Sequence, residues 1–377
     1  MNKKTQCYRI GVLGLGEGRS ILSAALLSDR WEVACICDLD AELCRQRQQE
    51  FSIAEYTTSY AEMLQREDID VIGIFTPDPM HTEHILMAFS AGKHVVCTKP
   101  LVDNLERGCE LLAAQRGSGK QLLVGNSTRF FHTLQRQRRD FERGANGQLV
   151  SCEAHYNGDK RKGSAGARGK NGEVNWLYSG LGHPVDLVYW YLGEIEEVYG
   201  YGLLSQAGAR LGSKVPDCFH FVLKSKAGVL GRVTGMYGTP LAHPKASPTT
   251  ECMLRGNDGI STATFPRFDY FTAFDGQEPT CETHVDSSGY YFRWGGSKYH
   301  AGEFQNYLEH FAYSLDSDSP PEPSLVNGLY VVAILEAMER SLNGGIPVRV
   351  DQILKDRGLE EIIDDRMTCD ELCQVTT

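Results

Sequence analysis

Four groups of residues in this sequence have the types and spacing that chemistry needs. The first is the run Gly11-Val12-Leu13-Gly14-Leu15-Gly16-Glu17-Gly18-Arg19. It follows an apolar run and opens a helical one. Glycines there let the backbone turn tightly and approach a pyrophosphate, which then sits on the N–H groups and positive end of the helix. The spacing Gly-x-Gly-x-x-Gly from Gly14 needs a glycine at 19, where Arg19 stands, so Gly18 is the candidate for close approach. The second group is Asp38, which closes the next apolar run, 20 residues after Gly18. A carboxylate there accepts hydrogen bonds from both hydroxyls of an adenosine ribose and repels a 2′-phosphate. Together these point to NAD rather than NADP, held by Gly14, Leu15, Gly16, Glu17, Gly18, Arg19 and Asp38. The bland alternative is a glycine turn followed by a surface aspartate.

The third group is Lys99, between Thr98 and Pro100 at the end of an apolar run. Open α/β sheets bind ligands at the carboxyl ends of their strands. A lysine there, beside a cationic nicotinamide and partly desolvated, can exchange a proton with a substrate hydroxyl. Otherwise it is a surface lysine before a turn. The fourth group is His183 and Asp186, three residues apart and so able to share one helical face. The carboxylate can orient the imidazole or bind a hydroxyl of its own. The alternative is a capping histidine before Pro184, with Asp186 in the first turn of the helix.

The elements that must position these groups follow from the hydrophobic pattern. Tyr8–Leu13, Trp31–Cys37, Val71–Phe75, His94–Cys97 and Leu122–Gly125 read as buried strands. Arg19–Ser28, His81–Ala91 and a segment capped by Asp103 and running to Gln115 read as the helices between them. This alternation predicts a doubly wound parallel sheet, a Rossmann α/β domain. After residue 126 the pattern changes. A basic amphipathic helix is expected over Thr128–Arg143, a strand over Leu149–Tyr156 and a helix over Leu181–Leu192. Strand-like runs separated by glycine turns follow from Val198 to Tyr270, then helices over Glu303–Ser314 and Leu325–Leu342. The expected second half is α+β, with a large, open, mostly antiparallel sheet. We expect a cofactor domain over 1–127 and a substrate and oligomerisation domain over 128–377, the helix 325–342 packing back on the first.

Composition sets limits. At 377 residues the chain is long for one core. Lys and Arg number 38 against 49 Asp and Glu, a net charge of −11. Such a surface repels phosphate backbones and anionic membranes, so neither nucleic acid nor a membrane is expected as partner. The 12 cysteines include no Cys-x-x-Cys pair and read as reduced apolar fillers. No His/Cys cluster has metal spacing, so no metal is expected. No long apolar span or signal-peptide core is legible, and the expected location is cytoplasmic.

Further motifs resemble one family. Thr76-Pro77-Asp78-Pro79-Met80-His81, Gly92-Lys93-His94-Val95, Thr98-Lys99-Pro100, Asn126–Phe130 and Gly182-His183-Pro184-Val185-Asp186 are similar, in this order, to segments of the Gfo/Idh/MocA oxidoreductases. The resemblance runs over nearly the whole chain. It implies a cofactor site that includes Thr76, Pro77, His81 and Lys99, and Lys99 with His183 as catalytic proton-transfer groups. It implies substrate contacts at Asn126, Arg129, His155, Asp186 and Tyr237, and the ring of Trp176 is a candidate to stack on a sugar ring or aglycone. A surface arginine, core histidine, core tyrosine and core tryptophan are the alternatives for Arg129, His155, Tyr237 and Trp176. It also implies a homo-oligomer: a dimer, tetramer or hexamer.

Two positions depart from the family pattern. Thr98 stands for Glu, and Ser179 for an Asp four residues before the histidine. Lys99 and His183 then work without that charge, another carboxylate replaces it, or the protein binds without catalysing. The expected activity is hydride transfer between NAD and a secondary hydroxyl of a sugar, cyclitol or glycoside, with sugar C3 as one option. Two rivals stand beside it: a non-catalytic NAD- and sugar-sensing protein, and an NAD-dependent glycosidase that oxidises its sugar transiently. The loop 160–170, with Lys160, Arg161, Lys162, Arg168 and Lys170, is a solvated loop or a lid over an anionic or extended substrate.

Overall fold

In the computed structural model the described residues are 6–159, 175–240, 249–291 and 301–362. The basic loop 160–170 lies outside them. Six parallel strands form the first sheet: β1 (Tyr8–Leu13), β2 (Trp31–Cys37), β3 (Tyr56–Thr57), β4 (Val71–Ile74), β5 (His94–Thr98) and β6 (Leu122–Gly125). Their spatial order is β3-β2-β1-β4-β5-β6, the doubly wound Rossmann order. Helices α1 (Arg19–Ala25), α2 (Ala41–Phe51), α3 (Tyr60–Leu64), α4 (His81–Ser90) and α5 (Gly108–Ser118) occur along the same stretch of chain. Burial from both faces explains why these strands read as continuous apolar runs: Ile10, Val12, Ile36, Ile72, Val96 and Leu123 are fully buried. Asp103 caps no helix; α5 starts at Gly108, after Arg107.

The rest of the described chain builds a nine-stranded sheet. After a 3-10 turn over Ser127–Phe130 come α6 (His132–Glu142), β7 (Leu149–Asn157), α7 (Trp176–Leu192), β8 (Ile195–Leu203) and α8 (Gln206–Arg210). Then follow β9 (Cys218–Ser225), β10 (Leu230–Met236), β11 (Thr250–Gly256), β12 (Gly259–Phe265), β13 (Asp269–Phe274), β14 (Thr280–Thr283) and α9 (Ser288–Tyr291). Last are α10 (Gly302–Ser317), α11 (Leu325–Gly344), β15 (Val348–Arg349) and α12 (Val350–Asp356). The order is β14-β13-β12-β11-β7-β10-β9-β8-β15. Every neighbouring pair is antiparallel except β7 with β10.

Alternation sets the two faces of this sheet. Phe219, Phe221 and Leu223 of β9 are buried, while His220, Val222 and Lys224 between them are exposed. The helix α7 lies on the buried face, where Gly231 of β10 approaches Val188 and Leu192.

Two helices of the second half also differ from expectation. The basic stretch is split, with the 3-10 turn first and α6 starting only at His132, after extended Phe131. The helix α7 starts at Trp176 rather than Leu181 and carries Pro184 inside it. The Asn175 side chain caps it, accepting from the Leu177 N–H at 3.1 Å. Glycines at 180 and 182 and the proline weaken local propensity. Burial of nearly the whole helix outweighs that.

The two sheets meet along β6 and α11. The Val124 N–H donates to the Pro323 carbonyl at 2.9 Å. At Gly328 a Cβ would come within 2.6 Å of Leu101 Cδ2 and 2.8 Å of Val124 Cγ2. A glycine is required for α11 to approach the first sheet this closely.

Candidate active site

The glycine loop follows β1 at the carboxyl edge of the first sheet. Gly14 has φ +87°, and a Cβ there would strike the Phe75 and Thr76 backbone within 2.8 Å. At Gly18 a Cβ would lie 2.2 Å from the Gly14 carbonyl and 3.0 Å from Val12. Gly18 is thus the glycine that lets α1 pack against β1. Gly16 has nothing within 4 Å of a built Cβ, so it is the position open to a ligand. This reverses the role expected for Gly18, because only the packed backbone shows which side each glycine faces. Asp38 orders the same loop: its carboxylate accepts from Leu15 N–H at 2.8 Å and from Asp40 N–H at 3.0 Å. Arg19 is ion-paired to Glu50, which also pairs with Arg47; Arg47 donates to the Leu15 carbonyl at 3.2 Å. The open face at Gly16, the helix start behind it and the carboxylate at the end of β2 fit a dinucleotide.

Thr76 and Pro77 follow β4, and the Phe75–Thr76 backbone abuts the glycine loop at Gly14. His81 is fully buried. Its ring meets the carbonyls of Thr76, Pro100 and Leu101, so it cannot touch a cofactor as expected. Lys99 follows β5 and reaches across to the second sheet's helix. Its ammonium donates to the Ser179 carbonyl of α7 at 2.7 Å. The Ser179 hydroxyl turns away and donates to the Asn175 carbonyl at 2.8 Å. His183 stands one turn further along α7, buried, with Nδ1 3.5 Å from the Thr128 hydroxyl. Tyr156 of β7 packs on the imidazole, ring centroids 5.0 Å apart.

Asp186 is engaged by Arg129. Both its oxygens accept from Arg129 at 2.7 Å, and Arg129 also pairs with Glu322 at 3.0 Å. Asp186 and Arg129 are both buried, and the guanidinium also covers Trp190 at 5.0 Å. Burial pushes the Asp186 carboxyl up, and Arg129 opposes that shift. The pair was read as two substrate contacts, because sequence separation hides that residues 129 and 186 meet. In the fold they form one strut between the turn after β6 and α7.

Of the other expected contacts, Asn126 lies buried just after β6. Trp176 and Tyr237 stack at 4.8 Å, and the buried Tyr237 hydroxyl fills the space beside Gly180. Burial holds the Tyr237 hydroxyl far above the usual phenol range. These two rings support the start of α7. His155 is on the wrong side. It pairs with Thr234, on the face that carries Glu153 and Arg232, whereas its neighbour Tyr156 faces α7. Strand alternation separates adjacent side chains in this way. Sequence reasoning missed Tyr156, Thr128 and Glu322. Period two along β7 was the available signal for Tyr156.

Known proteins share this fold. The family model described as an oxidoreductase family, NAD-binding Rossmann fold, matches residues 8–126. A second, the GFO/IDH/MocA C-terminal domain, matches 134–260. The chain belongs to the Gfo/Idh/MocA family.

Its first sheet is that family's NAD-binding domain. A segment of 142 residues, 37% of this chain, is 32% identical to 36% of 1-carboxy-3-chloro-3,4-dihydroxycyclohexa-1,5-diene dehydrogenase of Comamonas testosteroni. Levoglucosan dehydrogenase of Pseudarthrobacter phenanthrenivorans is 24% identical over 51% of this chain and 53% of its own. The chain thus spans between a third and about half the length of these two relatives. In three dimensions it is similar to an oxidoreductase from Agrobacterium radiobacter solved with NAD+, L-tartaric acid and magnesium. The TM-score is 0.80 at 19% identity, covering 92% of this chain and 99% of the other. Levoglucosan dehydrogenase with NADH and levoglucosan follows at 0.75 and 18%, covering 91% and 99%. These likenesses establish the shared fold. No helix of the described residues is long and apolar enough to cross a membrane.

Two outcomes are expected. Replacing Arg129 by Met leaves Asp186 buried and unpaired. It should lower stability by about 3–5 kcal/mol, while Arg129→Met with Asp186→Leu recovers most of that loss, as read by urea unfolding. Replacing Asp38 by Ser removes the carboxylate expected at the ribose. Calorimetry should show NAD+ binding about tenfold weaker, with NADP+ gaining relative to it.

Proposed function

We propose that the protein is an NAD-dependent oxidoreductase acting on a secondary hydroxyl of a sugar, cyclitol or glycoside. The observation that carries this reading is the meeting of Lys99 and α7. A lysine at the ligand-binding edge of the first sheet reaches 2.7 Å from Ser179, one helical turn before His183. When bound, the nicotinamide supplies a hydride acceptor or donor at C4. The chain supplies the proton chemistry: Lys99 takes the hydroxyl proton or returns it, and His183 holds the same oxygen. Thr128 and Tyr156 keep the imidazole in place. The names of the two relatives, a dihydroxycyclohexadiene dehydrogenase and a levoglucosan dehydrogenase, support ring hydroxyls as the target.

One departure bears on the chemistry. Lys99 donates to a neutral backbone carbonyl, and the residue at position 179 is a serine. The carbonyl orients the ammonium without adding a negative charge. The open face of the second sheet, with Tyr201, Val222 and Leu230 exposed, is the proposed contact between copies of the chain.

Absorbance at 340 nm with NAD+ and a panel of inositols, free sugars, aryl glucosides and cyclic diols tests this reading. A rise with one class, lost in Lys99→Met, is the expected result. Calorimetric NAD+ binding with no rise for any class would favour a sensor, and hydrolysis without net NADH would favour a redox-neutral glycosidase. A second test targets the missing carboxylate. In Ser179→Asp the added charge stabilises the ammonium, so the rise of kcat/KM with pH should move up by about 1 unit.

A further inference from the structure

Beside the cofactor loop, α2 carries a carboxylate that two guanidiniums share. One oxygen of Glu50 accepts from Arg19, the first residue of α1, and the other accepts from Arg47 at 2.8 Å. These three side chains are only 15% to 21% exposed, so salt and solvent screen them weakly. Arg47 also donates through Nε to the Leu15 carbonyl at 3.2 Å, while the Leu15 N–H donates to Asp38 at 2.8 Å. The backbone of a single loop residue thus separates the Asp38 carboxylate from a guanidinium.

The formal charges at this corner cancel, Asp38 and Glu50 against Arg19 and Arg47. Neighbouring groups add no net positive charge. Arg45 pairs with Glu42, Asp40 caps α2, and Glu17 lies exposed in the loop. A phosphate on the ribose 2′-oxygen is held by arginine, through charge-assisted and often bidentate hydrogen bonds. Two arginines stand here, and each already gives Glu50 a terminal nitrogen of the planar fork that such a phosphate would take.

We propose that Glu50 is a specificity-determining residue for the cofactor. By engaging Arg19 and Arg47 it denies them to a 2′-phosphate, and so favours NAD over NADP. This rests on Asp38 as the ribose carboxylate, since that contact brings the 2′-oxygen to this corner. Asp38 repels the phosphate directly, whereas Glu50 acts through the arginines. Glu50 also staples α2 to α1, a role that by itself would leave the choice between the two dinucleotides unchanged.

Calorimetric titration with NAD+ and with NADP+ tests this without turnover. Glu50→Gln keeps the shape and removes the charge. NADP+ should then bind about tenfold tighter, with NAD+ within about twofold of the wild type. Retained NAD+ binding also reports a folded cofactor domain. Asp38→Ser with Glu50→Gln should gain more affinity for NADP+ than Asp38→Ser alone. Adding Arg19→Met and Arg47→Met to Glu50→Gln should abolish the gain, because the phosphate then meets no guanidinium. Loss of affinity for both dinucleotides by the same factor, the result of a merely structural staple, would overturn the proposal. So would an unchanged ratio of the two dissociation constants, or a gain that survives removal of both arginines. A wild type that binds NADP+ as tightly as NAD+ would instead remove the reading of Asp38, and the shift on Glu50→Gln would still decide the role of Glu50.

Discussion

The hydrogen bond from Lys99 to the backbone of α7 is the contact on which this architecture turns. It joins the carboxyl edge of a parallel sheet to a helix lying on a second, mostly antiparallel sheet. On the proposed function the two surfaces must hold a fixed separation, since a misplacement of about 1 Å at a catalytic site costs on the order of 100-fold in rate. Much of the surrounding structure meets that requirement. Gly328 lets α11 lie against Leu101 and Val124, and the Pro323 carbonyl extends the edge of β6. Arg129 and Asp186 pin the turn after β6 to α7, one turn beyond His183.

The same constraint explains the buried polar groups. A desolvated ion pair contributes little net stability against an apolar replacement, but breaking it is expensive. Arg129 and Asp186 therefore act mainly by fixing geometry. Their bidentate fork allows one orientation of α7, where an apolar pair would tolerate several. The Trp176–Tyr237 stack and Gly180 do similar work at the other end of the helix. Pro184 is tolerated within α7 because burial on nearly every side compensates for the backbone hydrogen bond that a proline cannot make.

Family membership and fold leave the substrate to the details of one pocket. The relatives named above share this chassis and act on different ring compounds. In this chain that pocket carries the Ser179 carbonyl beside Lys99 and Tyr156 against His183. Specificity on a common fold arises from such substitutions.

The sequence alone determined the strand order's raw material and the cofactor end of the site. Buried parallel strands are short apolar runs, and β1, β2 and β6 stood at the expected residues. Local pattern is enough there, because a glycine loop, the strand before it and the carboxylate after it lie close along the chain. The roles of Gly16 and Gly18 needed the packed backbone. So did His81, which looked like a cofactor contact and proved to be buried among carbonyls. Arg129 and Asp186 looked like two substrate ligands and proved to be partners. His155 and Tyr156 exchanged places because one residue of strand register reverses the face. Each of these was decided by contacts between residues far apart in sequence, or by which side of an element a group faces once packed. Periodicity and spacing do not carry that information.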